Sequence, residues 1–158
     1  MCGIAGWCTT RSGEPVADKV SRMVAAQKHR GPDDTGAEEV SLSPHVVLGQ
    51  ARLSIIDVSP DGHQPMNDPE TGNVIVFNGE IYNFKLLRSE LEKKGCCFRT
   101  HSDTEVLLKA YAVWGDACCA RLRGIFAFAI WDKRARRLFV ARDQLGVKPF
   151  YYCFPQES

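Results

Sequence analysis

Cys2 becomes the first residue of the chain if Met1 is trimmed, as happens when the residue after the initiator is small. One residue then carries both a thiol and a free α-amino group. That amine has a pKa near ~8, well below a lysine's, so it can take a proton near neutral pH. Nucleophile and base are supplied together, as with an N-terminal threonine and its own amine. Position alone does not separate this reading from a cysteine that merely follows the start. Asn78-Gly79 comes directly after the apolar run Val74-Ile75-Val76-Phe77. Asn-Gly is the commonest two-residue hairpin turn. It is equally a side-chain amide beside a backbone N–H, the donor pair that steadies a developing oxyanion, where losing one donor typically costs ~3 kcal/mol.

Two charges complete the set. Arg52 stands in the mostly apolar stretch Leu48-Gly49-Gln50-Ala51-Arg52-Leu53-Ser54. An arginine there needs a partner, either an internal carboxylate or the carboxylate of a substrate held in its planar fork. Asp103 opens a helix, where it is a first-turn acid favoured by the helix dipole or an acceptor for a substrate ammonium. An arginine and an aspartate together suit a free amino acid, which presents one anion and one cation. The four histidines (29, 45, 63 and 101) have neither HxxxH nor HExxH spacing, and no GxxxxGK[ST] or GxGxxG occurs. The seven cysteines include two adjacent pairs, Cys96-Cys97 and Cys118-Cys119, but no CxxC. Free thiols in a reducing compartment are expected, and no metal site.

The elements that would position these residues follow from periodicity. Gly3 to Cys8 reads as a short buried strand, and Ala17 to His29 as a helix with Val20, Met23, Val24 and Gln27 on one face. It ends at Arg30-Gly31-Pro32-Asp33-Asp34. His45 to Leu53 and Asn73 to Phe77 are predicted strands, separated by a loop-rich excursion through Ser59-Pro60-Asp61-Gly62 and Asn67-Asp68-Pro69. A helix runs from Asn83 to a C-cap at Gly95. Another starts at Ser102, with Glu105 as the far half of a capping box, and ends at Gly115. Ile125 to Trp131, Arg137 to Ala141 and Pro149 to Cys153 are predicted strands. Strands at both ends with helices between them give an α+β class, helices covering the outer faces of packed sheets.

The 158 residues are expected to form a single domain, 44% hydrophobic and 25% charged, with a net charge of +1. No basic stripe points to nucleic acid, and the longest apolar run, Ile125 to Trp131, is too short to span a bilayer. Without a signal-peptide pattern the expected location is cytoplasmic.

In order along the chain, Met1-Cys2-Gly3-Ile4-Ala5-Gly6, Arg30-Gly31-Pro32-Asp33-Asp34, Ala51-Arg52-Leu53-Ser54-Ile55-Ile56-Asp57 and Gly62-His63-Gln64-Pro65-Met66 are followed by four further blocks. These are Phe77-Asn78-Gly79-Glu80-Ile81-Tyr82-Asn83, His101-Ser102-Asp103-Thr104-Glu105, Leu122-Arg123-Gly124 and Arg142-Asp143 through Gly146-Val147-Lys148-Pro149. The ordered set resembles the N-terminal glutaminase domain of glutamine-hydrolysing asparagine synthetase, a class II glutamine amidotransferase. The resemblance implies the N-terminal-nucleophile hydrolase fold, a four-layer αββα sandwich of antiparallel sheets. It implies attack by Cys2 on the glutamine side-chain amide, a γ-glutamyl thioester, and Asn78 and Gly79 as oxyanion donors. Arg52 would hold the α-carboxylate of glutamine, Asp103 and Glu80 would surround its ammonium, and backbone groups of Leu53, Ser54, Ile55 and Ile56 would line the pocket.

The family's synthetase motif Ser-Gly-Gly-x-Asp-Ser is absent from residues 2–158, so the expectation is a glutaminase domain, shortened at its C-terminal end and without a synthetase domain. No cofactor is expected in this chain; ATP and magnesium belong to a separate synthetase domain or subunit, the expected partner. The alternative is a non-catalytic module of the same fold that binds glutamine or a partner without turnover.

Overall fold

The computed structural model describes residues 2–11, 13–54 and 60–154. Strands β1 (Gly3–Thr9), β2 (Asp34–Leu42) and β3 (His45–Arg52) form one antiparallel sheet in the order β1-β3-β2. A second antiparallel sheet has the order β4-β5-β6-β7, from β4 (Met66–Asn67), β5 (Val74–Ile81), β6 (Gly124–Asp132) and β7 (Arg137–Arg142). Three α-helices accompany them among the described residues: α1 (Val16–Ala26), α2 (Phe84–Lys93) and α3 (Asp103–Trp114).

The two-residue alternation of the central strands produces the layers. In β3, Val47 and Ala51 face α1 and pack on Val16, Val20 and Val24. Val46 and Leu48 turn the other way, onto Val74 and Val76 of β5 and Ala129 and Trp131 of β6. The opposite face of the second sheet sends Ile75, Phe77, Phe126, Phe128 and Ile130 into the largest apolar cluster, beneath Leu87, Leu91, Val106, Leu107 and Tyr111 of α2 and α3. Helix, sheet, sheet and helices therefore stack as αββα. Because β3 and β5 are covered on both faces, both read as continuous apolar runs.

Helix α3 begins as expected, with Ser102 as N-cap accepting from the Glu105 N–H at 3.2 Å. The reciprocal half of the capping box is redirected. The Glu105 carboxylate accepts instead from the N–H groups of Arg99 and Thr100 and from the Thr100 hydroxyl, tying the approaching loop to the first helical turn.

Three expectations about elements are corrected. Strand β2 has no counterpart among the expected elements: Asp34, Gly36, Glu38 and Glu39 interrupt any apolar run, but pairing to β3 stabilises them as an outer strand with one polar face. Residues 149–153 form no strand. Tyr151 and Tyr152 are 92% and 76% exposed, and aromatic β-propensity does not make a strand without an edge to pair with. Helix α1 ends at Ala26 rather than His29, the chain tightening into turns as Arg30 N–H bonds to the Gln27 carbonyl. Asn78-Gly79 lies inside β5, opposite Ala127 and Phe126, so the hairpin-turn alternative is excluded.

Candidate active site

Alternation and register bring the sequence-predicted residues to one end of the space between the sheets. Gly3 pairs with Ala51, so one step outward Cys2 comes beside Arg52. In β5, Asn78 and Glu80 continue the row of Val74 and Val76 that faces the first sheet. A cavity of about 100 Å3 opens there, lined by Cys2, Arg52, Leu53, Asn78, Gly79, Glu80 and Asp103 among others.

The Cys2 sulfur sits against the Leu53 backbone, accepting from its N–H at 3.3 Å with the Leu53 carbonyl 3.6 Å away. Arg30 Nε donates to the Cys2 carbonyl at 3.2 Å, fixing the residue's main chain from the loop after α1. From that loop Asp33 N–H donates to the Arg52 carbonyl, and the Asp33 carboxylate accepts from the Ser54 N–H at 2.9 Å. Ser54 is thus tied to Asp33 and is absent from the cavity lining, whereas Leu53 lines it. Ile55 and Ile56 lie outside the described residues. The Arg52 guanidinium, 7% exposed as a residue, passes directly over Gly62, where any Cβ would collide with Nη2. Glycine at 62 is what lets the excursion before β4 close over the arginine.

The register of β5 decides which backbone donors face the cavity. Phe126 directs its N–H and carbonyl toward β7 and its following turn, bonding the Asp143 carboxylate and the Asp143 N–H. The Gly79–Phe126 pair is therefore not joined by hydrogen bonds, and the Gly79 N–H turns away from β6 toward the open side of β5. Its neighbours on that side are taken: Phe77 N–H donates to Gln64 Oε1 at 2.7 Å, and Ile81 N–H to Asp103 Oδ2 at 3.0 Å. Gly79 is left presenting its N–H to the cavity beside Asn78. A side chain at 79 would strike the Ile125 carbonyl and Phe126 Cα, so close strand approach requires glycine here.

Asp103, 5% exposed, is the first helical residue of α3. Burial pushes its carboxyl up to about 6, against the pull of N–H donors from Ile81, its own backbone and Thr104, while the Glu80 charge adds to the rise. The Ile81 N–H donates to Oδ2 at 3.0 Å, and the residue lines the cavity.

Several lining residues were not singled out as site residues from the sequence: Gln64, Thr104, Ile125 and Lys148. Lys148 is delivered by the turn after β7. There the Asp143 carboxylate accepts from the N–H groups of Phe126, Val147 and Lys148 at 3.2, 2.8 and 2.9 Å. The signal was present in Arg142-Asp143 through Lys148-Pro149, but nothing in its spacing said that it returns to β5. Among the described residues no group of three or more His, Cys, Asp or Glu side chains gathers as a metal site. None of the described helices is long and apolar enough to cross a membrane.

Comparison with known proteins gives the family and the fold. The family model described as "Glutamine amidotransferase domain" matches residues 1–158. Asparagine synthetase [glutamine-hydrolyzing] 3 of Bacillus subtilis is 45% identical over 156 residues, covering 96% of this chain and 25% of that protein. A Gibberella zeae protein named amidase chry2 is 37% identical over 168 residues, covering 100% of this chain and 25% of that one. The chain thus spans about a quarter of the length of the curated relatives it matches. Among solved structures, a B. subtilis glutamine phosphoribosylpyrophosphate amidotransferase superposes with a TM-score of 0.72 at 20% identity, covering 94% of this chain and 38% of that one. That likeness is one of fold, the N-terminal-nucleophile type of antiparallel αββα sandwich. By the match along its whole length and the identity to these relatives, the chain belongs to the glutamine amidotransferase domain family.

Proposed function

We propose that this domain hydrolyses the side-chain amide of glutamine with Cys2 as nucleophile, and that the ammonia serves asparagine synthesis on a separate synthetase domain or subunit. One observation carries the reading: Cys2, Arg52, Asn78, Gly79 and Asp103 line a single cavity. A nucleophile, a pair of oxyanion donors, an anion-binding fork and a cation acceptor then surround a space fit for one free amino acid.

In this mechanism Met1 is removed and the α-amine of Cys2 takes the thiol proton. The sulfur attacks the amide carbon, and the oxyanion is met by the Asn78 side-chain N–H and the Gly79 backbone N–H. The proton passes to the departing ammonia, leaving a γ-glutamyl thioester. Water, activated by the same amine, cleaves the thioester and releases glutamate. Arg52 holds the α-carboxylate. Asp103 and Glu80 hold the ammonium, and the backbone of Leu53 through Ile56 walls the pocket. ATP and magnesium enter only at the synthetase step, outside residues 2–158. Seven free cysteines support a cytoplasmic, reducing location.

Glutamate release from glutamine by the mature chain tests this reading. Cys2→Ala, or an N-terminal tag that blocks the amine, is expected to lower the rate by at least about 1000-fold. Undiminished turnover in Cys2→Ala would refute it. Glutamine binding by the unmodified chain with no glutamate formed would favour a non-catalytic module.

A further inference from the structure

Two buried glutamines grip the main chain of the same residue, Phe77, just ahead of Asn78. Gln50, fully buried in β3, donates through Nε2 to the Phe77 carbonyl at 2.7 Å. Gln64, 5% exposed, accepts through Oε1 from the Phe77 N–H at 2.7 Å and donates through Nε2 to Thr104 Oγ1 at 3.2 Å. Strand β4 pairs with β5 only at Val74 and Ile75, so beyond those residues the β5 edge has no strand neighbour among the described residues. Backbone groups on such an edge would drift unless side chains held them. Phe77 is held from both sheets at once, by Gln50 from β3 and by Gln64 from the segment leading into β4. Four residues further on, Asp103 holds the Ile81 N–H. Gly79 is centred between these two points of attachment.

Gln50 is an expensive choice for filling space. Its Oε1 is buried with no hydrogen-bond partner among the described residues, in a row otherwise made of Val46 and Leu48. An aliphatic side chain would fill that position without burying an unsatisfied oxygen. The bond to Phe77 is what the glutamine supplies and an aliphatic residue could not.

We infer that Gln50 and Gln64 are positioning residues. By clamping the Phe77 N–H and carbonyl they hold the unpaired stretch of β5 so that Asn78 and Gly79 present their donors to the oxyanion. The inference rests on the oxyanion role proposed for those two residues. Neither glutamine needs to touch the substrate's reacting atoms, and a displacement of the donors by about 1 Å is enough to cost on the order of 100-fold in rate.

The test uses Gln50→Leu and Gln64→Leu in the mature chain, with Asn78→Ala alongside. Steady-state glutamine hydrolysis is measured together with the rate at which iodoacetamide alkylates Cys2. Alkylation joins the sulfur to carbon with departure of iodide and develops no oxyanion, so it reports on the nucleophile without the donors. The expected result is a fall in kcat of about 10- to 100-fold for each leucine variant, with KM and the alkylation rate within about 3-fold of the parent. Unchanged kcat in both variants would overturn the clamp, as would kcat, KM and alkylation worsening together. If a leucine variant does not fold, Gln50→Asn or Gln64→Asn, one methylene too short to reach Phe77, is read by the same criteria. Should Asn78→Ala itself keep full kcat, the oxyanion role has failed and the clamp with it. A loss in Asn78→Ala alone overturns only the clamp.

Discussion

Asp103 is asked to be a substrate acceptor while buried at the start of a helix, and the two demands pull its proton in opposite directions. Burial raises its carboxyl to about 6, so the carboxylate that would attract the ammonium of glutamine forms only as pH rises through that value. The ligand favours the ionised form. The KM for glutamine is therefore expected to rise about tenfold from pH 7 to pH 5, where only about a tenth of the groups are ionised. Asp103→Asn should show a raised KM at pH 7 that no longer varies over this range; steady-state kinetics across pH 5–7.5 check both. In stability the sign is reversed. The folded state holds this proton more tightly than the unfolded chain, so Asp103 makes folding less favourable as pH climbs from about 4 to 6. At this scale the sequence was informative, since Cys2, Arg52, Asn78, Gly79, Glu80 and Asp103 all line the one cavity. It placed Gln64 and Lys148 in the ordered motif blocks without marking them as site residues, since both are polar residues in loop-like stretches whose place is set only by long-range folding.

The elements explain why those residues converge. The Arg30-Gly31-Pro32-Asp33 loop fixes the Cys2 carbonyl, the Arg52 carbonyl and the Ser54 N–H, joining the free end of β1 to the end of β3. The turn after β7 is organised in the same way around one carboxylate. Burial by itself would raise the Asp143 pKa, but N–H donors from Lys148, Val147 and Phe126 outweigh it and hold the group below the usual carboxylate range. Asp143→Ala leaves three backbone donors without their acceptor and is expected to destabilise the fold by about 3 kcal/mol, measured by urea unfolding at pH 7. Because its folded pKa is depressed, that contribution is present above about pH 4 and is lost as pH falls through the lower folded value. Periodicity revealed β1, β3, β5, β6 and β7 and the three α-helices, because their apolar faces are nearly continuous. It missed β2, where a polar outer face and Gly36 hide the alternation. It also assigned a strand to 149–153, where aromatic content stood in for a pairing partner that the segment does not have.

The whole molecule stacks two sheets between helices, and one buried charge network helps hold the outer helix layer to its sheet. Lys109 of α3 bonds Asp68 at 2.9 Å and Glu70 at 2.7 Å in the loop joining β4 and β5, with Lys109 and Asp68 4% and 2% exposed. Burial would raise the Asp68 pKa; bonds from Lys109 and Thr71 reverse the shift and keep it ionised. Lys109→Ala strands that carboxylate, and a loss of about 3–5 kcal/mol in urea unfolding is expected. Replacing Lys109 and Asp68 together should cost less than the sum of the two single changes. The element order gave an α+β class with helices over the outer faces of packed sheets, and the ordered motif blocks implied the specific four-layer αββα sandwich. The central claim remains the chemistry of Cys2. The most direct test is intact and N-terminal mass analysis after treatment with a diazo-ketone analogue of glutamine. The account expects Met1 to be gone, a single adduct on the Cys2 sulfur, and protection by excess glutamine. Glutamine turnover by a chain that retains Met1, or inactivation with the adduct on any other residue, would contradict it.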